Sequence, residues 1–149
     1  EILAKMGIKN EKPSDLSPEE ENGISEYAKE KYGSEFVFIV DYPFKGRAFY
    51  SMKYDDGSGL SKTFDLLWNG LEITSGAQRE HRYENLKKNV ADKGIDEKTI
   101  TDYINYFRYG CPPHGGLGAG PSRMIMKMLG IDNIRDATYL YRGVKRLSP

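Results

Sequence analysis

Asn69-Gly70 stands between two runs of strand-forming residues, Lys62 to Trp68 and Leu71 to Thr74. A two-residue connection of this composition favours a type I′ turn, because both central residues need positive φ. The chain is thereby held to an antiparallel hairpin, whose strands pair without a crossover helix. The expected fold class is α/β in the broad sense and α+β in arrangement: an antiparallel β-sheet flanked by helices. A doubly wound sheet would need repeated strand–helix alternation, which is absent.

The rest of the chain is punctuated consistently with this. Ser17-Pro18-Glu19-Glu20 reads as a helix start, with Ser17 as N-cap, Pro18 at the first helical position and Glu20 completing a capping box. Ile24, Tyr27 and Ala28 continue it at helical spacing, and Gly33 stops it. Phe36 to Val40 is a continuous run of β-formers, predicted as a buried strand. Phe49 to Lys53 reads as a second strand, and Asp55 to Gly59 as a loop. Arg82 to Lys93 and Asp96 to Tyr109 read as helices, with Leu86, Val90, Ile104 and Phe107 among the inward residues. A Gly-rich strand is expected from Leu117 to Gly120, then a helix from Pro121 to Leu129 stopped by Gly130. Met124, Met126 and Met128 read as core or gap filler of that helix.

The chain has 149 residues, enough for one core. Its 22 basic and 22 acidic residues cancel, so no strong field draws it to nucleic acid. No apolar run is long enough for a membrane span, and no secretory h-region opens the sequence. One cysteine, Cys111, excludes an internal disulfide framework and suits a reducing cytosol. Two histidines and one cysteine are too few for a typical zinc site. The first residue is Glu1 rather than Met, which reads as a start inside something longer or as processing.

Two constellations carry chemistry. The first runs from Gly70 to His81, at the end of the second hairpin strand and in the turn after it. Regular alternation places Glu72 and Thr74 on one face, with Leu71 and Ile73 on the other. A carboxylate at 72 could bind a hard cation, and Arg79 offers a planar fork for a carboxylate. A solvated strand face with ordinary ion pairs stands as the alternative. The second is Gly115-Gly116-Leu117-Gly118-Ala119-Gly120-Pro121-Ser122-Arg123. Glycines admit a ligand close to the backbone, and the following helix turns its positive end toward the loop. Arg123 could stack on an aromatic base. A structural glycine strand with a surface Arg stands as the alternative. No Gly-Lys-Ser/Thr follows, so this is not a P-loop, and the spacing is not a dinucleotide fingerprint. Cys111 and His114 are a weaker candidate pair, and a cysteine before two prolines reads as structural.

Gly-x-Gly-x-Gly-x-x-Arg followed by an apolar helix resembles motif 3 of class II aminoacyl-tRNA synthetases, here residues 116–129. The stretches FVFIVDYPFKGRAFYSM, FDLLWNGLEITSGAQREHRYENL, YFRYGCPPHGGLGAG and NIRDATYLYRGVKRLSP are similar to aspartyl-tRNA synthetases of the archaeal and eukaryotic type. The asparaginyl relatives fit less well, because Arg usually stands where His81 is. The resemblance implies an aspartate–tRNA ligase portion that activates L-aspartate with ATP and Mg2+ and transfers it to tRNA-Asp in the cytoplasm. It implies ATP binding by Glu72, Gly120, Pro121, Ser122 and Arg123, with Glu72 and Arg123 in catalytic roles. It implies aspartate binding by Ser75 and Arg79, and magnesium at Glu72 and Ser75. Residues 72 and 75 fall on opposite faces of a regular strand, so a shared ion requires the strand to bend or end near Thr74.

The sequence departs from the family in two places. Ser122 replaces the acid before the motif 3 arginine, and Leu140-Tyr141-Arg142-Gly143 stands where the family reads Phe-Pro-Arg-Asp. The whole chain, 1–149, reads as the C-terminal part of the catalytic domain. Motif 1 (the family's homodimer element), motif 2 and the anticodon-binding barrel are not in it, and are expected upstream of Glu1. The chain alone is therefore expected not to form aspartyl-adenylate. Two other readings remain: a synthetase-like binding or regulatory module, and an amino-acid-activating paralogue of the asparagine synthetase type.

Overall fold

Nine regular elements are arranged around one sheet in a computed structural model that describes residues 2–9 and 14–148. Glu1 and Pro149, the ends of the sequence, lie outside the described residues. Helix α1 (Ile2–Lys5) and helix α2 (Pro18–Tyr32) precede strand β1 (Phe36–Val40). Strands β2 (Thr63–Trp68) and β3 (Leu71–Arg79) form the hairpin. Helices α3 (Tyr83–Asp92) and α4 (Thr101–Arg108) follow, then strand β4 (His114–Ala119) and helix α5 (Pro121–Leu129). The sheet order is β1-β2-β3-β4, with every neighbouring pair antiparallel. The expected antiparallel sheet with flanking helices is the one observed.

Local signals act as read. Ser17 accepts from the Glu20 N–H, the Glu20 carboxylate accepts from the Ser17 N–H at 2.6 Å, and Gly33 ends α2 at φ +65°. Asn69 and Gly70 have φ of +44° and +78°, the two positive values a type I′ turn requires. A Cβ at Gly70 would also overlap the Asn22 side-chain oxygen, so this glycine lets α2 seat against the turn. The core gathers Leu67, Ile73, Leu86, Val90, Ile104 and Phe107, all nearly inaccessible to water.

Four expectations fail for non-local reasons. Strand β1 is not buried: it is an edge strand, and Phe36, Phe38 and Val40 are 47%, 60% and 55% exposed. A continuous apolar run cannot tell a central strand from an edge whose outer face awaits another surface. Residues 49–53 form no strand. Ser51 bridges Arg79 and Lys53 bridges Ser61, one residue each, because the segment turns across the end of β3. The helix expected over 96–109 is broken. Residues Glu97–Ile100 are 3-10, and Ile100 (φ −129°, ψ 21°) separates them from α4. Helix α5 buries none of its residues and Met128 is 71% exposed, so that methionine is not core.

Candidate active site

The register of the hairpin decides the geometry of the site. Thr63 to Leu66 pair regularly with Ala77 to Thr74, but Leu67 pairs with Glu72. Ile73 is therefore an extra residue, a β-bulge. Directly opposed residues share a face, so Glu72 joins Leu67 and Asp65 on the face that carries Ser75, Ala77 and Arg79. This corrects the regular alternation: Glu72 leaves the face of Thr74, and its side chain shares a face with that of Ser75. Strand β3 also runs five residues beyond Thr74, so Ser75 to Arg79 lie in a strand and not in a turn. Strand β4 begins at His114, three residues earlier than expected, and sets Gly118 and Gly116 opposite Ser75 and Ala77.

A cleft of about 360 Å³ opens on this face. Its lining includes Arg47, Tyr50, Ser75, Arg79, Gly116 and Gly118. Arg79 has no carboxylate partner among the described residues. Its Cζ lies 5.2 Å from the centre of the Tyr50 ring. A guanidinium held against an aromatic ring, with its donors free, is a receptor for a carboxylate. Tyr50 is placed by backbone pairing, since its carbonyl accepts from the Glu80 N–H at 2.8 Å. The buried Asn89 amide steadies the same segment, donating to the carbonyls of Phe49 at 3.0 Å and Ser51 at 3.2 Å.

Glu72 and Arg123 form a second group on the same face, outside the lining of the Arg79 cleft. Arg123 Nη1 donates to the Glu72 carbonyl at 2.6 Å and to its carboxylate at 3.3 Å. The Gly120 N–H donates to the carbonyl of the bulge residue Ile73 at 2.8 Å, which pins the start of α5 to β3. Gly120 is the N-cap, and Pro121, Ser122 and Arg123 form the first turn, in which the Ser122 and Arg123 N–H groups are not used by the helix itself. The Arg123 stem folds over Gly120, where a Cβ would meet its Cδ at 3.3 Å. Ser75, between the two groups along β3, faces Asp65 on β2 and Gly118 on β4. Glu72, Ser75 and Arg79 thus share one sheet face, with Arg123 reaching Glu72 from the start of α5.

Four neighbours of the site, Asp65, Arg47, Tyr42 and Glu21, are not legible as such in the sequence. Asp65 is buried opposite Ser75, and Arg47 grips its two oxygens at 2.8 and 3.4 Å. Burial and the neighbouring Asp65 push the Tyr42 phenol upward, and the Arg47 guanidinium lies 3.6 Å over the Tyr42 ring. The period-2 position of Asp65, on the same face as Thr63 and Leu67, was the available signal. Glu21 lies in the first turn of α2. Burial, then the adjacent Glu72 carboxylate, push its carboxyl up from 4.5 to about 7, against the pull of Arg123. Among the described residues, no three His, Cys, Asp or Glu side chains cluster closely enough to hold a metal ion by themselves. Glu72 and Ser75 supply oxygen donors on one face, a set suited to a hard cation that takes its other ligands from water and phosphate.

The family model for class II tRNA synthetases (D, K and N) matches residues 3–142. An aspartate–tRNA(Asp/Asn) ligase of Aeropyrum pernix is 47% identical over 150 residues, covering 100% of this chain and 34% of that protein. An aspartate–tRNA(Asp) ligase of Pyrococcus furiosus is 43% identical, with coverage of 100% and 34%. The solved aspartyl-tRNA synthetase of Entamoeba histolytica superposes with a TM-score of 0.93 at 39% identity, over 99% of this chain and 30% of that one. The chain spans about a third of the length of the curated relatives it matches. No helix among the described residues is long and apolar enough to cross a membrane.

Proposed function

The chain belongs to the class II tRNA synthetases of the D, K and N group, and on that premise we propose that it is the part of an aspartate–tRNA ligase that selects aspartate and holds ATP. The observation that carries this reading is the bulge at Ile73, which gathers Glu72, Ser75 and Arg79 onto one face beside Arg123. In this reading L-aspartate enters the cleft with its side-chain carboxylate on the Arg79 fork. Ser75 holds the amino acid toward Glu72. The first turn of α5, from Gly120 to Ser122, receives ATP, and the Arg123 guanidinium turns from Glu72 to lie on the adenine.

The reaction needs no nucleophilic side chain. An α-carboxylate oxygen of aspartate attacks the α-phosphorus of ATP, and the bond to the bridging oxygen breaks. Aspartyl-adenylate forms and pyrophosphate leaves. A terminal ribose hydroxyl of tRNA-Asp then attacks the aspartyl carbonyl, and AMP leaves. Positioning and charge neutralisation supply the rate in such chemistry. Mg2+, when held at Glu72 and Ser75, would offset phosphate charge. Arg79 selects aspartate over asparagine because a neutral amide leaves a desolvated guanidinium without its counter-charge. The family reading carries with it a homodimer and a cytoplasmic location. Phe36, Phe38, Val40 and Leu117, exposed along one sheet face, suit a chain completed by further protein.

Aspartate-dependent ATP–pyrophosphate exchange, measured on the natural gene product that contains residues 1–149, tests the proposal. Exchange with aspartate whose aspartate KM rises steeply in Arg79→Ala, and no exchange with asparagine, is expected. No exchange in the unmutated protein would favour a binding or regulatory module, to which the serine at 122 would be suited. Residues 1–149 alone are expected to give none.

A further inference from the structure

We propose that Gly116 is a positioning residue for amino-acid selection: its bare Cα leaves the space in which the Nε–Nη2 edge of the Arg79 guanidinium rests. This rests on the reading of Arg79 as the aspartate-binding group. A Cβ built on Gly116 would stand 3.0 Å from Arg79 Nη2, 3.1 Å from Nε and 3.3 Å from Cζ. Nη2 and Nε are both nearer than Cζ, so the Nε–Nη2 edge of the guanidinium is what meets this residue, at an oblique angle. The register explains the approach. Arg79 is directly opposite His114, but its side chain leans two pairs along the ladder, toward the partner of Ala77.

Backbone conformation does not demand a glycine here, because Gly116 has no positive φ. Gly118, two residues on, has open space where its Cβ would be, so close approach is not a general property of the strand. The Tyr50 ring is the other surface near the guanidinium, 5.2 Å from Cζ. Neither residue accepts a hydrogen bond from the fork. None of the side-chain hydrogen bonds among the described residues draws on the Arg79 guanidinium. Gly116 thus sets where the Nε–Nη2 edge of the fork stands, and no acceptor among the described residues takes its donors. A methyl group at 116 lifts the fork by a few tenths of an ångström. A displacement of about 1 Å can cost about a hundredfold, so a lift of this size should cost about three- to tenfold.

The test is steady-state exchange by the natural gene product, comparing Gly116→Ala, Arg79→Ala and the double variant. A rise of about three- to tenfold in the aspartate KM is expected for Gly116→Ala, with the ATP KM within about twofold of wild type and weaker rejection of asparagine. In the Arg79→Ala background the same substitution should add nothing, because the group it lifts is gone. Should Arg79→Ala raise the aspartate KM while Gly116→Ala leaves it unchanged, or shifts aspartate and ATP alike, the role of Gly116 is overturned and that of Arg79 survives. Should Arg79→Ala leave aspartate dependence intact, or should the unmutated protein show none, both fall. If Gly116→Ala alone does not fold, a folded double variant supports the contact and an unfolded one overturns it.

Discussion

Replacing Glu21 with Gln removes a carboxyl whose ionisation the folded protein resists. Burial and the Glu72 carboxylate raise it from 4.5 to about 7, with Arg123 opposing them. Between those values the folded protein keeps a proton that the unfolded chain has released. Folding is therefore favoured at the acid side of the window and weakened as pH rises from about 4.5 to 7. A gap of about 2.5 pH units corresponds to about 3.4 kcal/mol at full weight. Glu21 is only partly buried, and solvent screening reduces the expected effect to about 1 kcal/mol. Glu21→Gln should therefore be more stable than the parent by about 1 kcal/mol at about pH 8, with the advantage vanishing near pH 4.5. Urea unfolding at the two pH values measures it, and carbon NMR of labelled glutamate gives the midpoint directly. An advantage that is independent of pH, or one that grows toward acid, would refute the reasoning.

Other perturbations follow from the same contacts. Gly70→Ala forces an L side chain into φ +78° and into Asn22, and should lower stability by about 2 kcal/mol in urea unfolding. Asn89→Ala strips two donors from the Phe49 and Ser51 carbonyls; a loss of about 1–3 kcal/mol in urea is expected, with a raised aspartate KM because Tyr50 is no longer steadied. Ser17→Ala opens the capping box and should cost about 1 kcal/mol in thermal unfolding, with the aspartate KM unmoved.

The sequence and the structure part company where information is non-local. Ser17, Gly33, Asn69, Gly70 and Gly130 speak through backbone preferences of a few adjacent residues, and each acts as read. The glycine strand and Arg123 were legible by motif likeness, and the structure seats them at the start of α5. The bulge at Ile73 was not legible, because it depends on which residue of β2 meets Glu72. Only the conflict between positions 72 and 75 hinted at it. The Asp65–Arg47 pair joins residues 18 apart, beyond any local rule. Nothing in the local sequence of α2 reveals that Glu21, in its first turn, is near Glu72. The exposed side of β1 depends on what lies beyond the sheet edge, which an apolar run cannot report.

The most direct test is a crystal structure of the natural gene product with a non-hydrolysable aspartyl-adenylate analogue. The aspartyl carboxylate should lie within about 3 Å of the Arg79 guanidinium over Gly116, with the adenine against Arg123. An analogue that leaves Arg79 uncontacted, or binds off the sheet face carrying Glu72 and Ser75, would contradict the account.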